Sequence, residues 1–356
     1  MKKLLKILFL TLAVLSGGLS ARAQKDTVRV LLFDLKRFFN AGKYFEARQT
    51  AAKLRTTGKL SQEDNAEFMK YYSAVLRESL FESESDSVVR EFIRKNPFYE
   101  PTEDDPVPFK KTFSNYYAYP KFSVAFSFGG VSPDVIIDTV HVIGSDKKVN
   151  PEYEESFGLS TGISLQYRPV KNFSVTTGVK YYFSQYSRTV LQTADIGIVN
   201  FDYKFVYKES GHIVAVPLYL GYSFDIGKWT PEFFLGGELN YLVKSGYECY
   251  NEINGSQKKT AAKTKIDPES KYRFNYGLFF GLRVNRNFKR VSVFGEYTST
   301  SMLRPHNNPK YNYSDNNLVY NKLFVPDAIH IQHQGISLGI KFNFGYGVIA
   351  KYGYGY

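Results

Sequence analysis

The chain has 356 residues, 17% of them aromatic with 29 Tyr and 30 Phe, a single Cys and a formal charge of +12. One cysteine excludes a disulfide framework, and basic residues scattered rather than blocked argue against nucleic acid as a partner. High Tyr and Phe favour β structure and the aromatic belts of a membrane surface.

Residues 1–23 read as an export signal. Lys2, Lys3 and Lys6 form its basic start, and Ile7 to Leu19 form an apolar core too short to span a bilayer. Ala21-Arg22-Ala23 offers a cleavage site, so the mature chain is expected from Gln24. No Cys follows that site, which argues against a lipid anchor, and no later apolar run is long enough for a spanning helix.

Residues 24–96 are expected to form a small all-α domain in the periplasm. Val28, Leu31, Leu32, Leu35 and Phe38 recur at helical spacing until Asn40-Ala41-Gly42 breaks the pattern. Tyr44, Ala47, Ala51 and Leu54 make a second stripe, and Ser61 with Asp64 has the form of a capping box opening a third helix. Val88, Val89, Phe92 and Ile93 mark a fourth, which Pro97 ends. The run from Ala41 to Leu54, AGKYFEARQTAAKL, resembles the Gly-x-Tyr-x-x-Ala core of a tetratricopeptide repeat. Such a resemblance implies a face that docks a partner protein, here Tyr44, Phe45, Phe68 and Tyr71. The plainer alternative is a helical bundle that acts as a spacer. Residues 97–120, with five prolines and an acidic run, read as an extended linker.

From Lys121 to Phe344 apolar and polar residues alternate in eight segments. The clearest pair is 213–244. Val214, Val216, Leu218, Leu220, Tyr222 and Phe224 fall on one face of the first strand. Phe233, Leu235, Leu239, Tyr241 and Val243 repeat this on the second. About 9–11 residues of such alternation cross a bilayer as a tilted strand. Eight antiparallel strands, apolar side to lipid and polar side to a lumen, make a membrane β-barrel. A soluble sandwich also alternates, but the export signal, strand length and glycine-rich polar face favour the membrane. Short connections at 169–171, 226–228 and 286–290 are expected on the periplasmic side. Long ones near 130–154, 188–211, 246–270 and 302–330 are expected outside. Tyr167, Phe224, Trp229, Phe288 and Phe344 sit at the short-turn ends, where an aromatic girdle belongs.

Residues 213–244 resemble the PorT-like outer-membrane β-barrel family. The resemblance rests on Val216-Pro217-Leu218-Tyr219-Leu220-Gly221-Tyr222-Ser223-Phe224 and on Pro231 to Tyr241 around Gly236-Gly237. It extends over 121–344 and implies an eight-stranded outer-membrane protein, some of whose relatives serve a protein-secretion apparatus. The helical region and the tail from Gly345 to Tyr356 depart from a simple member.

Arg168, Lys180, Arg273, Arg283 and Lys341, with Glu232, Glu238 and Glu296, are expected to point into the lumen as a salt-bridged plug. Glu238, Arg283, Glu296 and Lys341 lie on successive strands, so some of them should pair. A gated ion path is the functional alternative. Cys249 reads as a loop thiol. All five histidines map to the outer side, where Asp327, His330 and Ser210 would be the members of a rim enzyme. His330 and His333, three apart, face opposite sides of a strand, which disfavours a shared metal. No cofactor, metal or catalytic motif is expected. Loop 302–330, rich in Asn and Tyr, has the composition of an adaptable binding surface. The expected function is a non-enzymatic outer-membrane accessory protein or scaffold of a cell-envelope or secretion assembly. It would hold outer-membrane lipid by its barrel and a periplasmic or outer-membrane protein by residues 24–96. A transport or ligand-binding barrel, and a rim hydrolase or transferase acting on lipid or peptide, are the alternatives.

Overall fold

The computed structural model describes residues 26–57, 60–139, 151–196, 199–253, 256–265, 271–308 and 327–351. The export signal expected at 1–23 lies outside them, as do most of loop 302–330 and the final residues of the tail. The described chain divides into two compact units, one of residues up to Tyr119 with those from Tyr346, the other Pro120–Gly345.

The first unit holds five helices among the described residues: α1 (26–40), α2 (Tyr44–Thr56), α3 (Gln62–Glu78), α4 (Glu82–Lys95) and α5 (Val107–Ser114). Gly42 joins α1 to α2 at φ +70°, a backbone state that side chains resist. Ser61 caps α3, its Oγ accepting from the Asp64 amide at 3.1 Å. Leu35, Ala47, Ala51, Leu54, Val75, Val89 and Phe92 are fully buried in one core. Burying each large side chain stabilises by roughly 1.5–3 kcal/mol.

The stretch 97–120 is not the extended linker its prolines suggest. Pro106 and Pro108 stand at the start of α5, where a missing N–H leaves no bond unmade. Phe109 of α5 is buried against Phe92, ring centroids 5.2 Å apart in a T-shape. Asp105, from the acidic run, accepts from Lys70 Nζ at 2.7 Å, Tyr99 Oη at 2.6 Å and the Thr102 amide at 2.8 Å. Burial disfavours both charges, but the bonds to Lys70, Tyr99 and Thr102 outweigh it. The Asp105 carboxyl is therefore held below its ordinary value and the Lys70 amine above its own.

The second unit is a closed ring. Among the described residues its strands are β1 (Tyr116–Thr139), β2 (Glu152–Val170), β3 (Phe173–Ile196), β4 (Val199–Ser223), β5 (Trp229–Ile253), β6 (Ser256–Lys265), β7 (Phe274–Phe288), β8 (Val291–Met302) and β9 (Ala328–Ala350), the start of β1 and the end of β9 counting with the first unit. The order is β4-β3-β2-β1-β9-β8-β7-β5-β6, closed by β4 on β5. β5 pairs with β7 over Trp229–Tyr241 and with β6 over Gly246–Ile253, so β6 and β7 fill one place in turn. Nine strands thus make the eight-place antiparallel ring that the sequence predicts.

Strand lengths differ from that expectation. β3 and β4 stay paired from Phe173↔Tyr222 to Ile196↔Val199, through residues expected in a long loop. β5 likewise runs on through 246–253, β6 occupies 256–265, and β9 continues to Ala350 into the expected tail. Beyond the bilayer both faces of a strand meet polar surroundings, so alternation fades while hydrogen bonding persists. Cys249 is accordingly a buried strand residue, packed with Phe205 and Tyr207, and not a loop thiol.

Candidate functional site

The two faces of the ring are sorted by polarity. Leu218, Leu235 and Leu338 are 59%, 63% and 69% exposed, whereas Lys180, Glu238 and Lys341 are 9%, 2% and 2% exposed. An outward hydrocarbon face around inward charges fits lipid outside and a closed interior. The ring is a plugged membrane barrel.

The plug is built on strand register. Glu232 of β5 lies opposite Arg283 of β7, which lies opposite Glu296 of β8. Arg283 Nε donates to Glu296 Oε2 at 2.7 Å, its Nη1 stands 3.5 Å from Glu232 Oε2, and its Nη2 donates to Tyr219 Oη at 2.8 Å. Lys180 Nζ reaches Glu296 Oε1 at 3.4 Å. Glu232 also accepts from Gln166 Nε2 at 2.5 Å and Ser174 Oγ at 2.8 Å. Arg168 and Lys341 are buried in the same interior, and Arg168 Nε has no hydrogen-bond partner among the described residues. Glu238 is bound to the Tyr182 hydroxyl at 2.9 Å, its other oxygen unpartnered.

Arg273 does not belong to this network. β7 begins at Phe274, two residues later than the alternation from Tyr272 suggests, and the Arg273 side chain is exposed beside Tyr241 Oη at 3.4 Å. Inward aromatics fill the space beside this network: Tyr219 and Phe234 fall on the polar face by alternation, and Phe279 is the one that the alternation left out. Tyr219, Phe234 and Phe279 form a buried cluster, with Tyr219 and Phe234 centroids 4.7 Å apart. Their signal was glycine: a Cβ on Gly281 would meet the Phe234 ring, and one on Gly339 the Phe294 ring. Inward glycine beside inward aromatic marks a filled interior, not an open channel.

A second polar cluster lies toward the outer ends of the strands. Glu209 of β4 accepts from Tyr186 Oη at 2.7 Å, Tyr207 Oη at 2.9 Å, Lys271 Nζ at 2.9 Å and His306 Nε2 at 2.8 Å. Burial holds the Lys271 amine and the His306 imidazole below their ordinary values, and the positive charge of Lys271 lowers His306 further. Asp327 accepts from Arg188 Nε and Tyr153 Oη, both at 2.7 Å. The rim-enzyme set is not assembled. His330 Nδ1 bonds Asp138 Oδ2 at 2.5 Å, not Asp327, and Ser210 Oγ faces the Gly246 carbonyl at 3.4 Å.

Tyr167, Phe224, Trp229, Phe288 and Phe344 all stand exposed, the first four at or beside the short-turn ends of their strands and Phe344 within β9, which runs on to Ala350. Phe122 stacks between Tyr167 and Phe344, at 5.1 and 5.8 Å, and Arg286 covers the rings of Trp229 and Phe288.

In the helical unit the four docking residues do not share a face. Phe68 is 6% exposed and belongs to the core, while Phe45 is 73% exposed on the opposite side of its helix from buried Ala47 and Ala51. Tyr44 is half-buried against Phe39, and Tyr71 is half-buried with its edge on Phe39 at 5.8 Å. The grouping mixed core with surface because α3 packs inward on the side that carries Phe68, whereas α2 packs inward through Ala47, Ala51 and Leu54 and leaves Phe45 outside. The unit does offer a groove of about 670 Å³ whose lining includes Arg55, Leu60, Asn65, Tyr72, Val88 and Glu91.

No family model and no curated protein matches the chain. Solved structures that match include Neisserial surface protein A, 14% identical over 64% of this chain and 99% of that one, TM-score 0.28. Outer membrane protein AlkL in lipid bilayers is 10% identical over 64% and 92%, TM-score 0.30. The N-terminal β-barrel domain of Pseudomonas aeruginosa OprF is 11% identical over 63% and 98%, TM-score 0.27. Scores so low carry no inference about fold or function, and the ring stands on its own strand pairing.

Proposed function

We propose that this chain is a non-enzymatic outer-membrane protein whose barrel anchors a periplasmic helical unit, and that this unit docks a protein partner in a cell-envelope or secretion assembly. The observation that carries the reading is the filled lumen: Arg283, Glu232, Glu296, Tyr219, Phe234 and Phe279 occupy the space a transport path would need. A barrel that passes nothing serves as an anchor. An even number of places returns both chain ends to the short-turn rim, the periplasmic side in bacterial barrels. The relevant docking surface is the groove beside Tyr72 and Arg55 rather than the four residues first grouped from sequence. The resemblance to the PorT-like family is the further support for a secretion setting.

A photo-crosslinking residue at Tyr72 in living cells tests this. One discrete adduct with a periplasmic or outer-membrane protein is expected, and the same residue at exposed Leu220 of the barrel should not give it. No adduct from Tyr72, together with ion conductance by the purified chain in planar bilayers, would replace the anchor with a channel.

A further inference from the structure

A small cavity in the barrel, sharing His306 with the Glu209 cluster, is lined by donor side chains from three strands and a loop. Its volume is about 20 Å³, and its lining includes His306, His333, Met302, Asn240 and, on its outer side, Arg273. That is room for one water or one ion and for no organic ligand. His333 and Asn240 are each at least nine-tenths buried, and His333 Nδ1 and Asn240 Oδ1 have no hydrogen-bond partner. Leaving such atoms bare costs about 1–3 kcal/mol apiece, so a built interior is expected to supply them with something.

The two histidines are oriented alike. His306 Nε2 faces Glu209 Oε1 at 2.8 Å, and His333 Nε2 faces Ser184 Oγ at 3.4 Å. A ring whose Nε2 proton goes to an oxygen has its lone pair on Nδ1. A carboxylate behind a histidine, fixing its tautomer, is the usual outer support of a metal-binding imidazole. Tyr182 stacks on His333 with centroids 5.5 Å apart and holds the ring plane. The Met302 thioether also lines the cavity, 3.4 Å from Asn240 Nδ2. No carboxylate lines it, and exposed Arg273 stands on its rim. Glu209, the carboxylate behind His306, is already bound by Lys271 Nζ at 2.9 Å. A univalent ion suffers least, and thioether with imidazole is the donor set of copper(I).

We propose that His306, His333 and Met302, with Asn240 completing the site, bind a single soft univalent metal ion, copper(I) in kind. The pairing joins histidines far apart in sequence, so it was invisible while only His330 and His333 were compared. The site also ties His306, beyond the end of β8, to Met302 of β8, His333 of β9 and Asn240 of β5.

The test uses the full chain in detergent micelles, in a Cys249→Ser background that removes the lone thiol. Copper(I) is titrated anaerobically against a chromogenic chelator, with zinc as the comparison ion and X-ray absorption at the copper edge. One ion per chain, retained against the chelator and preferred over zinc, with nitrogen and sulfur scatterers, is expected. Met302→Leu should remove the sulfur scatterer. His333→Gln should weaken binding by more than the about 10–100-fold typical of losing an outer-shell support. Heat-modifiable mobility on gels confirms that each variant is folded; for one that is not, the spectrum of the parent chain decides alone. The proposal is overturned if copper(I) passes to the chelator as readily as from a variant carrying both Met302→Leu and His333→Gln, or if zinc binds as tightly. A sulfur signal that survives Met302→Leu, or a crystal structure showing only a water between His333 and Asn240, overturns it too.

Discussion

The helical unit and the barrel solve opposite problems with the same residue types. In the helices, Leu35, Leu54, Phe92 and Phe109 are fully buried and the charges lie largely outside. In the barrel, Leu218, Leu235 and Leu338 face outward while Arg283, Glu296 and Lys341 are enclosed. One unit is held by removing hydrocarbon from water. The other leaves its hydrocarbon to lipid and is held by closed strand pairing and by charges that must satisfy one another. What distinguishes the units is therefore not how apolar they are but what their interior must neutralise.

Cutting the central charge should produce the largest contrast. Arg283→Met leaves Glu232 and Glu296 buried without their main partner, and about 3–5 kcal/mol of barrel stability should be lost. Replacing all three residues by apolar ones of similar size should cost much less, because no charge is left stranded. Urea unfolding followed by the loss of heat-modifiable mobility reads both. If the triple variant is as weak as Arg283→Met, stranded charge is not the cause.

Phe109→Ala should cost about 3–5 kcal/mol in the helical unit and leave the barrel's mobility shift where it was. Hydrogen exchange of the α3 and α4 amides in the full chain measures the first effect. A matching loss in the barrel would show that the two units do not unfold independently.

The smallest effect is pH-dependent and belongs to the helices. The Asp105 carboxyl is held below its ordinary value of 3.8, so its contribution is complete above that value and drains away as pH falls through the lower folded value. Lys70, held above 10.5, contributes fully below that value and loses its part as pH rises past it. Asp105→Asn should cost about 1.5–3 kcal/mol at neutral pH, and the gap to the parent chain should narrow on acidification below pH 3.8. A gap that stays constant would mean the carboxylate charge contributes nothing.

The sequence was most informative where one physical rule governs a stretch. Alternation placed Leu218 and Leu235 outward and Glu238 inward, because in a strand within the bilayer the faces meet lipid and protein by turns. It also put Arg283 and Glu296 in reach of each other. It failed where the rule changes. Residues 188–196 and 199–211 lost alternation above the bilayer yet remain paired strands. Arg273 was one residue outside its strand. Prolines in 97–120 signalled a helix start rather than a linker. The cavity between His306 and His333 depends on ring closure, which no local pattern reports. The face of Tyr44, Phe45, Phe68 and Tyr71 failed for a related reason: helical spacing shows that an apolar stripe exists, not whether another helix already covers it.

The inside-out barrel is tested most directly by nitroxide labels at positions 218, 235 and 338, one at a time, in reconstituted bilayers. Lipid-dissolved oxygen should relax all three strongly while a water-soluble nickel chelate reaches none of them. Collision with the nickel chelate at these sites, or exclusion of both reagents, would show that the outward face does not meet lipid.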